Sequence, residues 1–508
     1  MTIFFAPLRL PPRPAARPEP LLTQLATLTP LQWAFFWVGW LAWTCDAIDF
    51  FSVSLSVNAL SVQFNKSTHD ITTAITLTLL FRSVGAVLFG VFSDRFGRKW
   101  PLVFNLVLVA ILELGAGFVQ TFRQFLALRS LFGIGMGGIW GLAASTALEN
   151  LPVGLRGLAS GVLQQGYAVG YLIAAVISLQ LVPAVPQHWR ALFWTASGIS
   201  LFGATLRALL PESAVFLKLR HAAESHGVVS EAQKTRVFLR ETKAMLKTHW
   251  VLCVYAVLLM TGFNFLSHGS QDLYPTYLTK SKGIATHAAT VATIIGNCGA
   301  IAGGGIAGWA SQFLGRRITI VACTLLTAVF IPLWILPTSF GALAAGAFCV
   351  QFGVQGAWGV IPIHLAEMAP PAFRATFPGV AYQLGNMVSS ASAQIEATGG
   401  DNLQTTLVVD GKPTLVPDYA KVQGILIGVV AAFVIFITII GPENLGSHFE
   451  NHRAAFDEGG GADDAYIDDD GVEHATGRAA RDHERGRDLE EKASEERLST
   501  EKPVPAAT

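Results

Sequence analysis

The sequence has little charge for its length. Only 14% of its 508 residues are Asp, Glu, Lys or Arg, whereas 52% are hydrophobic, and the mean hydropathy is +0.46. Soluble domains carry about 25% charged residues. The equal numbers of basic and acidic residues, 35 of each, also argue against the basic surface of a nucleic-acid-binding protein. The composition therefore predicts an integral membrane protein.

Cysteine is also scarce, and its positions exclude a disulfide framework. All five cysteines lie in hydrophobic stretches without metal-ligand spacing: Cys45, Cys253, Cys298, Cys323 and Cys349. The sequence contains neither a nucleotide-binding loop nor a nucleophile elbow. We therefore expect no metal, no cofactor and no enzymatic activity.

Long apolar stretches are abundant. Twelve stretches reach the about 20 residues that cross a bilayer, at roughly 33–60, 72–93, 101–120, 124–148, 157–182, 189–210, 250–279, 288–311, 318–336, 341–365, 376–397 and 422–441. A soluble helical core would need polar outer faces, which stretches 102–112 and 425–440 lack. The N-terminus shows no cleavable signal peptide, so the first span is expected to direct insertion.

Basic residues in short loops predict the orientation, because they favour the cytoplasm. Arg95, Arg98 and Lys99 follow the second span, and Arg316 and Arg317 occupy the matching loop of the second half. We therefore expect a multi-pass protein in the lipid bilayer with both termini in the cytoplasm.

The membrane part repeats itself at an offset near 218 residues. The segment Gly90–Lys99 aligns with Gly308–Arg317, and Gln165 aligns with Gln383. Two six-helix halves are typical of secondary transporters whose site lies between the repeats. The predicted fold class is an all-α membrane protein of twelve transmembrane helices in two six-helix repeats.

Five regions are predicted. They are a disordered cytoplasmic N-terminus at 1–30, an N-terminal six-helix half at 31–211, a cytoplasmic loop at 212–249, a C-terminal six-helix half at 250–441 and an acidic, disordered cytoplasmic tail at 442–508. The tail holds 18 acidic and 8 basic residues. Ubiquitination or phosphorylation machinery is a candidate partner of the tails.

A glycine- and arginine-rich string after the second span predicts a cytoplasmic gate. Gly90 is expected to let helices approach closely, Gly97 to allow a tight turn and Asp94 to pair with arginines or cap a helix. The gating candidates are Gly90, Asp94, Arg95, Gly97, Arg98 and Lys99. This string resembles the signature of the major facilitator superfamily. The second copy has Gln312 in place of the acid, which predicts a weaker second latch.

Polar residues follow one face of the seventh span. Asn264, His268, Asp272 and Thr276 recur every four residues, and Ser267, Ser270 and Gln271 widen the face. Ionisable residues in a membrane span indicate function. His268 and Asp272 are suited to share a proton; a metal site, which shows no third ligand, and a purely structural network are the alternatives. Pro275 is expected to break the helix.

The string from Asn264 to Thr276 is similar to the seventh-helix signature of the fungal Jen-type lactate and pyruvate permeases, proton symporters of the major facilitator superfamily. The resemblance covers about 30–445. It implies uptake of short monocarboxylates with protons at the plasma membrane, for lactate, pyruvate, acetate or propionate, and it implies importance for the seven polar residues. A dicarboxylate symporter for malate or succinate, and a receptor that binds a nutrient without transporting it, remain as alternatives.

A carboxylate transporter needs a cation in its cavity, and Arg82 is the best candidate. It lies 12 residues before Asp94 in the second span, about 18 Å from the cytoplasmic end. A charge at this depth costs about 2.5–3.5 kcal/mol, which a substrate carboxylate or an acid would offset. Asp46 and Asp49 are either its partners or further proton sites.

Two further pairs are candidates for contacts between helices. Gln165 and Gln383, related by the repeat, either flank the pathway or hydrogen-bond to neighbouring helices. Glu113 and Arg129 are expected to form a structural ion pair.

Overall fold

The computed structural model describes residues 7–10, 20–148, 151–212, 217, 231–369, 373, 376–409, 412–444, 465–467 and 473–475. The first half contains α1 (Leu21–Ala26), α2 (Pro30–Phe64), α3 (Thr68–Phe96), α4 (Lys99–Ala116), α5 (Phe122–Met136), α6 (Ile139–Leu148), α7 (Arg156–Gln180) and α8 (Trp189–Leu209). The second half contains α9 (Glu231–Gln271), α10 (Tyr274–Lys280), α11 (Thr286–Leu314), α12 (Arg316–Ile335), α13 (Phe340–Met368), α14 (Thr376–Ser389), α15 (Ser392–Asn402) and α16 (Tyr419–Ile440).

All twelve predicted spans are helical, and the predicted fold class is confirmed. Nine are single helices or parts of one, whereas the fourth is divided into α5 and α6, the seventh into α9 and α10, and the eleventh into α14 and α15. Ten spans in the described residues are long and apolar enough to cross a membrane by length and composition. The sixth and eleventh spans are helical but fall outside that set.

Strands occur outside the spans. The loop between α15 and α16 forms an antiparallel hairpin of β1 (Gln404–Val409) and β2 (Lys412–Pro417), with Gln404 opposite Pro417. A second short pair, β3 (Ala465–Ile467) and β4 (Glu473–Ala475), lies in the predicted tail. Neither hairpin was expected from the sequence.

The chain divides into two compact units. The first comprises Met1–Ala222, Val251–Ala369 and Arg374–Ser447, and it holds the twelve spans. The second comprises Ala223–Trp250, Pro370–Phe373 and His448–Thr508. Near the boundary, His249 interrupts α9 with φ −111° and ψ 21°. Part of the predicted 212–249 loop is therefore helical, and most of the predicted 442–508 tail lies outside the described residues.

Local caps fix where several membrane helices begin. Thr29 and Gln32 at the start of α2 exchange hydrogen bonds between side chain and backbone, with the Thr29 N–H donating to the Gln32 amide at 2.8 Å. Ser67 with Asp70 caps α3 in the same way. Such capping boxes satisfy N–H groups that hydrocarbon cannot.

The repeat is visible in the backbone. Gly97 and Gly315, which end α3 and α11, have φ of 93° and 86°, a region open to glycine. Glu212 accepts from the N–H groups of Arg98 and Lys99 at 3.0 Å each, and Glu443 accepts in the equivalent way at the start of α12. Each half thus places an acid at the N-terminus of its third span.

Two expectations about the gate need correction. A Cβ at Gly90 would meet nothing within 4 Å, so this glycine allows no close helix contact here. In the second copy, Gln312 lacks the acid, but Glu367 supplies it by accepting two bonds of 3.0 Å from Arg316. The side chains of Asp94 and Arg95 lie outside the described residues, although their backbone belongs to α3.

Close helix contacts occur instead at Gly85 and Gly303, which the repeat relates. A Cβ at Gly85 would overlap the carbonyl of Ile134, and one at Gly303 would overlap the carbonyl of Phe352. These contacts join α3 to α5 and α11 to α13. Between the halves, α7 packs against α11 and α13, and α3 packs against α14 and α15.

Gly85→Ala and Gly303→Ala should each lower stability by about 1–3 kcal/mol, because the added methyl forces two helices apart. The check is the melting temperature of the purified protein in detergent. Gly198→Ala is the matched control, since a Cβ there meets nothing within 4 Å. Equal melting temperatures for all three variants would contradict the proposed contacts.

Candidate functional site

A buried ion pair joins α2 and α3. The Arg82 Nη2 donates to Asp46 Oδ2 at 2.9 Å, and both side chains are 0% exposed. Arg82 Nη1 and Nε, and Asp46 Oδ1, have no hydrogen-bond partner in the described part of the chain. Arg82 therefore forms the salt bridge that was expected as one alternative, with Asp46 as its partner. Its Nη1 and Nε atoms remain available to another acceptor.

Asp49 does not join this pair. Its Oδ2 accepts from Ser200 Oγ of α8 at 2.7 Å, and it lies within electrostatic reach of Glu113 and Arg129. Asp46 and Asp49 are three residues apart on α2, yet Asp49 contacts Ser200 of α8 and not Arg82. Of the two alternatives given for the aspartates, Asp46 is a partner of Arg82, and Asp49 is not.

The expected ion pair between α4 and α5 is present. Arg129 Nη1 donates to Glu113 Oε2 at 2.7 Å, and both side chains are buried. The Arg129 guanidinium also lies 3.9 Å from the ring centre of Phe132. This arrangement fits the structural role expected for the pair.

The seventh span breaks before Pro275, as predicted. Helix α9 ends at Gln271 and α10 begins at Tyr274, so the proline occupies the first turn, where its missing N–H costs nothing. Thr276 lies beyond the break and is 1% exposed. Among the described contacts, its side chain makes no hydrogen bond to the other polar residues of the span.

A hydrogen-bonded chain runs from the seventh span to the first half. His268 Nδ1 lies 3.1–3.2 Å from both Asp272 carboxylate oxygens, and His268 Nε2 lies 3.1 Å from Asn386 Oδ1. Asn386 Nδ2 donates to Gln383 Oε1 at 2.9 Å, and Gln383 Nε2 donates to the carbonyl of Gly137 at 3.2 Å.

This chain determines where the His268 proton lies. The Gly137 carbonyl only accepts, so the Gln383 and Asn386 amides each have one orientation that satisfies the chain. His268 Nε2 must then donate to Asn386. A second proton must lie between Nδ1 and Asp272, which makes the pair either imidazolium with carboxylate or imidazole with carboxylic acid. The pair is therefore able to share a proton.

A second group of hydrogen-bonded side chains joins the seventh span to α13. Ser267 donates to Gln271 Oε1 at 3.1 Å, Gln271 Nε2 donates to Gln351 Oε1 at 2.8 Å, and Gln351 Nε2 donates to Ser270 Oγ at 3.0 Å. Ser270, Gln271 and Gln351 line a pocket of about 250 Å³ together with Tyr171 of α7. The Tyr171 hydroxyl donates to the Gln271 carbonyl at 3.2 Å.

Aromatic rings connect the two charged pairs. The Arg82 guanidinium lies 5.8 Å from the Tyr382 ring centre, and this ring packs against Trp140 and Trp358 at 4.7 and 5.6 Å. Tyr167 lies within electrostatic reach of Arg82, Asp46 and Asp272. The Asn264 Nδ2 donates to the Tyr382 carbonyl at 3.3 Å. The predicted residues therefore surround one aromatic-walled interior.

The two repeat-related glutamines make equivalent contacts. Gln165 donates to the carbonyl of Ile301 at 2.6 Å, and Gln383 donates to the carbonyl of Gly137. Each amide thus bonds to the backbone of the opposite half, in agreement with the hydrogen-bonding alternative. Only Gln383 continues into the His268 chain.

A pocket of about 360 Å³ lies between α3, α6 and α14 on the side of the arginine-rich loops. Gly90, Ser93, Ser145 and Thr376 are among its lining residues, and so is Gly137. Since Gly137 also accepts from Gln383, this hydrogen bond stands between the pocket and His268.

Several polar residues of the interior were not among the candidates identified from the sequence. Asn386 follows Gln383 by three residues and shares its helix face, a signal that could have identified it. Gln164, rather than Gln165, meets the Trp140 indole N–H, at 3.4 Å. Gln351 and Glu396 are isolated in sequence, and only the packing brings them to the seventh span.

Comparisons with known proteins agree with this architecture. The family model described as sugar (and other) transporter matches residues 22–456. A carboxylic acid transporter protein homolog of Saccharomyces cerevisiae is 36% identical over 434 residues, which cover 83% of this chain and 70% of the relative. A probable 4-methylmuconolactone transporter of Cupriavidus pinatubonensis is 26% identical and covers 83% and 93%.

A solved structure shows the same fold. The proton:xylose symporter XylE, a major facilitator superfamily protein bound to 6-bromo-6-deoxy-D-glucose, matches with a TM-score of 0.66 at 18% identity. The match covers 83% of this chain and 98% of XylE. The major facilitator fold expected from the sequence is therefore confirmed.

Asp46→Asn should destabilise the protein by about 3–5 kcal/mol, because it leaves the Arg82 charge buried and uncompensated. Asp49→Asn, one turn along the same helix, loses at most about 1 kcal/mol, because the amide oxygen of Asn can still accept from the Ser200 hydroxyl. Thermal unfolding in detergent measures both. Equal losses for the two variants would show that the ion pair is not the stronger constraint.

Proposed function

The chain belongs to the sugar (and other) transporter family, and we propose that it imports short monocarboxylates together with protons across the plasma membrane by alternating access. Members of this family are transporters and not enzymes. The names of the yeast and bacterial relatives, a carboxylic acid transporter homolog and a muconolactone transporter, support a carboxylate as the substrate class. The observation that carries the proposal is the buried Arg82, whose Nη1 and Nε have no hydrogen-bond partner among the described residues, in the same aromatic-walled interior as the His268–Asp272 contact.

Arg82 binds the substrate carboxylate. A guanidinium presents two edges of paired N–H groups, Nη1 with Nη2 and Nε with Nη2, and each edge matches the two oxygens of a carboxylate. Asp46 accepts one hydrogen bond from Nη2, and Nη1 and Nε have no hydrogen-bond partner in the described part of the chain, so one edge can still bind a carboxylate. The remaining substrate atoms meet hydrogen-bonding groups of the seventh span at Asn264, Ser267, Ser270 and Gln271. Asp46 neutralises Arg82 when the substrate is absent.

One cation favours a monocarboxylate over a dicarboxylate. Six arginines are among the fully buried large side chains of the described residues. Five of them have other partners in the structure: Arg129 with Glu113, Arg316 with Glu367, Arg156 with the Leu151 carbonyl, Arg207 with the Pro211 carbonyl and Arg317 with the Thr438 carbonyl. Of the six, Arg82 is the one whose guanidinium lies beside the Tyr382 ring of the aromatic-walled interior, where it pairs with Asp46.

The His268–Asp272 pair provides the proton coupling. With one proton shared between them the pair is neutral, and a second proton, taken up with the substrate, would cancel the charge of the carboxylate. A neutral loaded carrier avoids the cost of moving a buried charge through the bilayer. A receptor that binds without transporting would have no use for such a pair, which argues against that alternative.

Uptake should depend on the proton at the seventh span. Purified protein in proteoliposomes should take up radiolabelled lactate faster at acidic than at neutral outside pH, and a protonophore should abolish the stimulation. Asp272→Asn should lower this proton-driven uptake by about 5–150-fold, the usual range for energetic coupling between two sites. Asp401→Asn is the control, because this acid is exposed at the end of α15.

Several outcomes would contradict the proposal. If uptake by the wild type did not depend on outside pH, transport would not be coupled to protons. Uptake of succinate or malate but not of lactate would make a dicarboxylate the substrate. Binding without counterflow of labelled lactate would favour the receptor.

Arg82→Lys should raise the KM for lactate by about tenfold, equivalent to about 1.4 kcal/mol. Lysine keeps the charge opposite Asp46 but loses the paired N–H geometry. The comparison of KM at saturating proton concentration, with the melting temperature as the folding control, checks this. An unchanged KM would place the carboxylate elsewhere.

A further inference from the structure

One buried acid has no role in the site described above. Glu396 lies on α15 and is 0% exposed. Its hydrogen-bond partners are neutral: Gln423 Nε2 donates to Oε2 at 2.7 Å, and Ser392 Oγ lies 3.4 Å from Oε1. No basic side chain pairs with it among the described residues. A buried carboxylate without a cation costs several kcal/mol, and a bound proton removes that cost.

The partner of Glu396 suits both protonation states. Gln423 is 0% exposed, and its Oε1 has no hydrogen-bond partner within the described part of the chain. Its Nε2 donates to a carboxylate, whereas a half-turn of the amide would bring Oε1 to accept from a carboxylic acid. An arginine or lysine in this place would favour only the charged form.

Glu396 faces the seventh span. A Cβ at Gly269 would lie 3.4 Å from Ser392 Oγ, so the start of α15 packs directly against α9. Gly269 and Asp272 are three residues apart and share that helix face. Glu396 and Asp272 lie within electrostatic reach of each other. Two negative charges in one dry region repel each other.

Glu396 also lies on the way to the opposite face of the membrane from the arginine-rich loops. It is five residues, or about 7.5 Å along the helix, from the exposed Asp401. The other titratable groups near it are Tyr419 of α16, which interacts with both Glu396 and Asp401, and Lys280 of α10, which interacts with Asp401. On the α3 side, Gln394 of the same helix bonds to the carbonyl of His69 at 3.1 Å.

We propose that Glu396 is a second proton-binding group of the C-terminal half, through which protons reach the His268–Asp272 pair from the face opposite the arginine-rich loops. The inference rests on the proposed proton coupling and extends it. Gln423 stabilises Glu396 in both protonation states, and the proton passes between Glu396 and Asp272.

Glu396→Gln separates proton turnover from substrate binding. Exchange of labelled for unlabelled lactate needs only the loaded carrier, whereas net uptake must load and release a proton in every cycle. In proteoliposomes the variant should keep exchange within about twofold of wild type but lose about tenfold or more of proton-driven net uptake. Its net uptake should also respond less to outside pH. Asp401→Asn, on the same helix, should behave as wild type in both assays.

Equal loss of exchange and net uptake would assign Glu396 to substrate binding or folding, and unchanged net uptake with an unchanged pH profile would also overturn the proposal. If Glu396→Gln does not fold, Gln423→Leu takes its place. It should move the pH midpoint of net uptake while exchange persists, and an unmoved midpoint would overturn the proposal.

A second readout does not depend on transport. Infrared difference spectra recorded during a pH change should show the C=O stretch of a protonated carboxyl group that disappears in Glu396→Gln and persists in Asp401→Asn. Its presence in both variants would exclude Glu396 as that group. Loss of the band together with pH-independent uptake by the wild type would uphold proton binding while contradicting the proposed function.

Discussion

The organising constraint is that hydrocarbon supplies neither counter-ions nor hydrogen-bond partners, so each buried charge must find its partner inside the protein. Arg82 shows the consequence most directly. A guanidinium does not lose its proton, and its charge at this depth must be balanced by Asp46 or by a bound carboxylate. Asp46 accepts from Nη2, and Nη1 and Nε have no partner in the described part of the chain. The stabilising pair therefore also provides the recognition element for an anion.

The same constraint connects the halves. Gln383 reaches the Gly137 carbonyl of the first half and, through Asn386, determines that His268 Nε2 donates. If the halves separate at this contact, Gln383 loses its acceptor and the Asn386 amide is free to turn. His268 is then no longer required to donate at Nε2. Closure of the interface at this contact therefore favours the form of His268 that carries a proton on Nε2.

Local and periodic features were predictable from the sequence, whereas partners across helices were not. The length of the apolar stretches predicted all twelve spans. The four-residue spacing of polar residues predicted the polar face of the seventh span, and Pro275 predicted its break. The interruptions in the fourth and eleventh spans carry no proline and were missed. A helical period identifies a face but not the helix that packs on it, so the Ser200 partner of Asp49 could not be predicted. Glu396 was missed for the same reason, since its importance depends on α15 packing against Asp272.

The charges of the buried groups explain why substrate and proton would move together in the proposed cycle. The Arg82–Asp46 pair is neutral, and so is a His268–Asp272 pair that holds one shared proton. The empty interior is then uncharged when Asp49 and Glu396, whose hydrogen-bond partners are neutral, hold their protons. A bound carboxylate adds one negative charge, and only a second proton on the His268–Asp272 pair restores neutrality. Both the empty carrier and the fully loaded carrier can then reorient at low electrostatic cost. A carrier that holds only the substrate, or only the extra proton, has a net buried charge. This charge opposes reorientation of the carrier, so the substrate and the proton cross together.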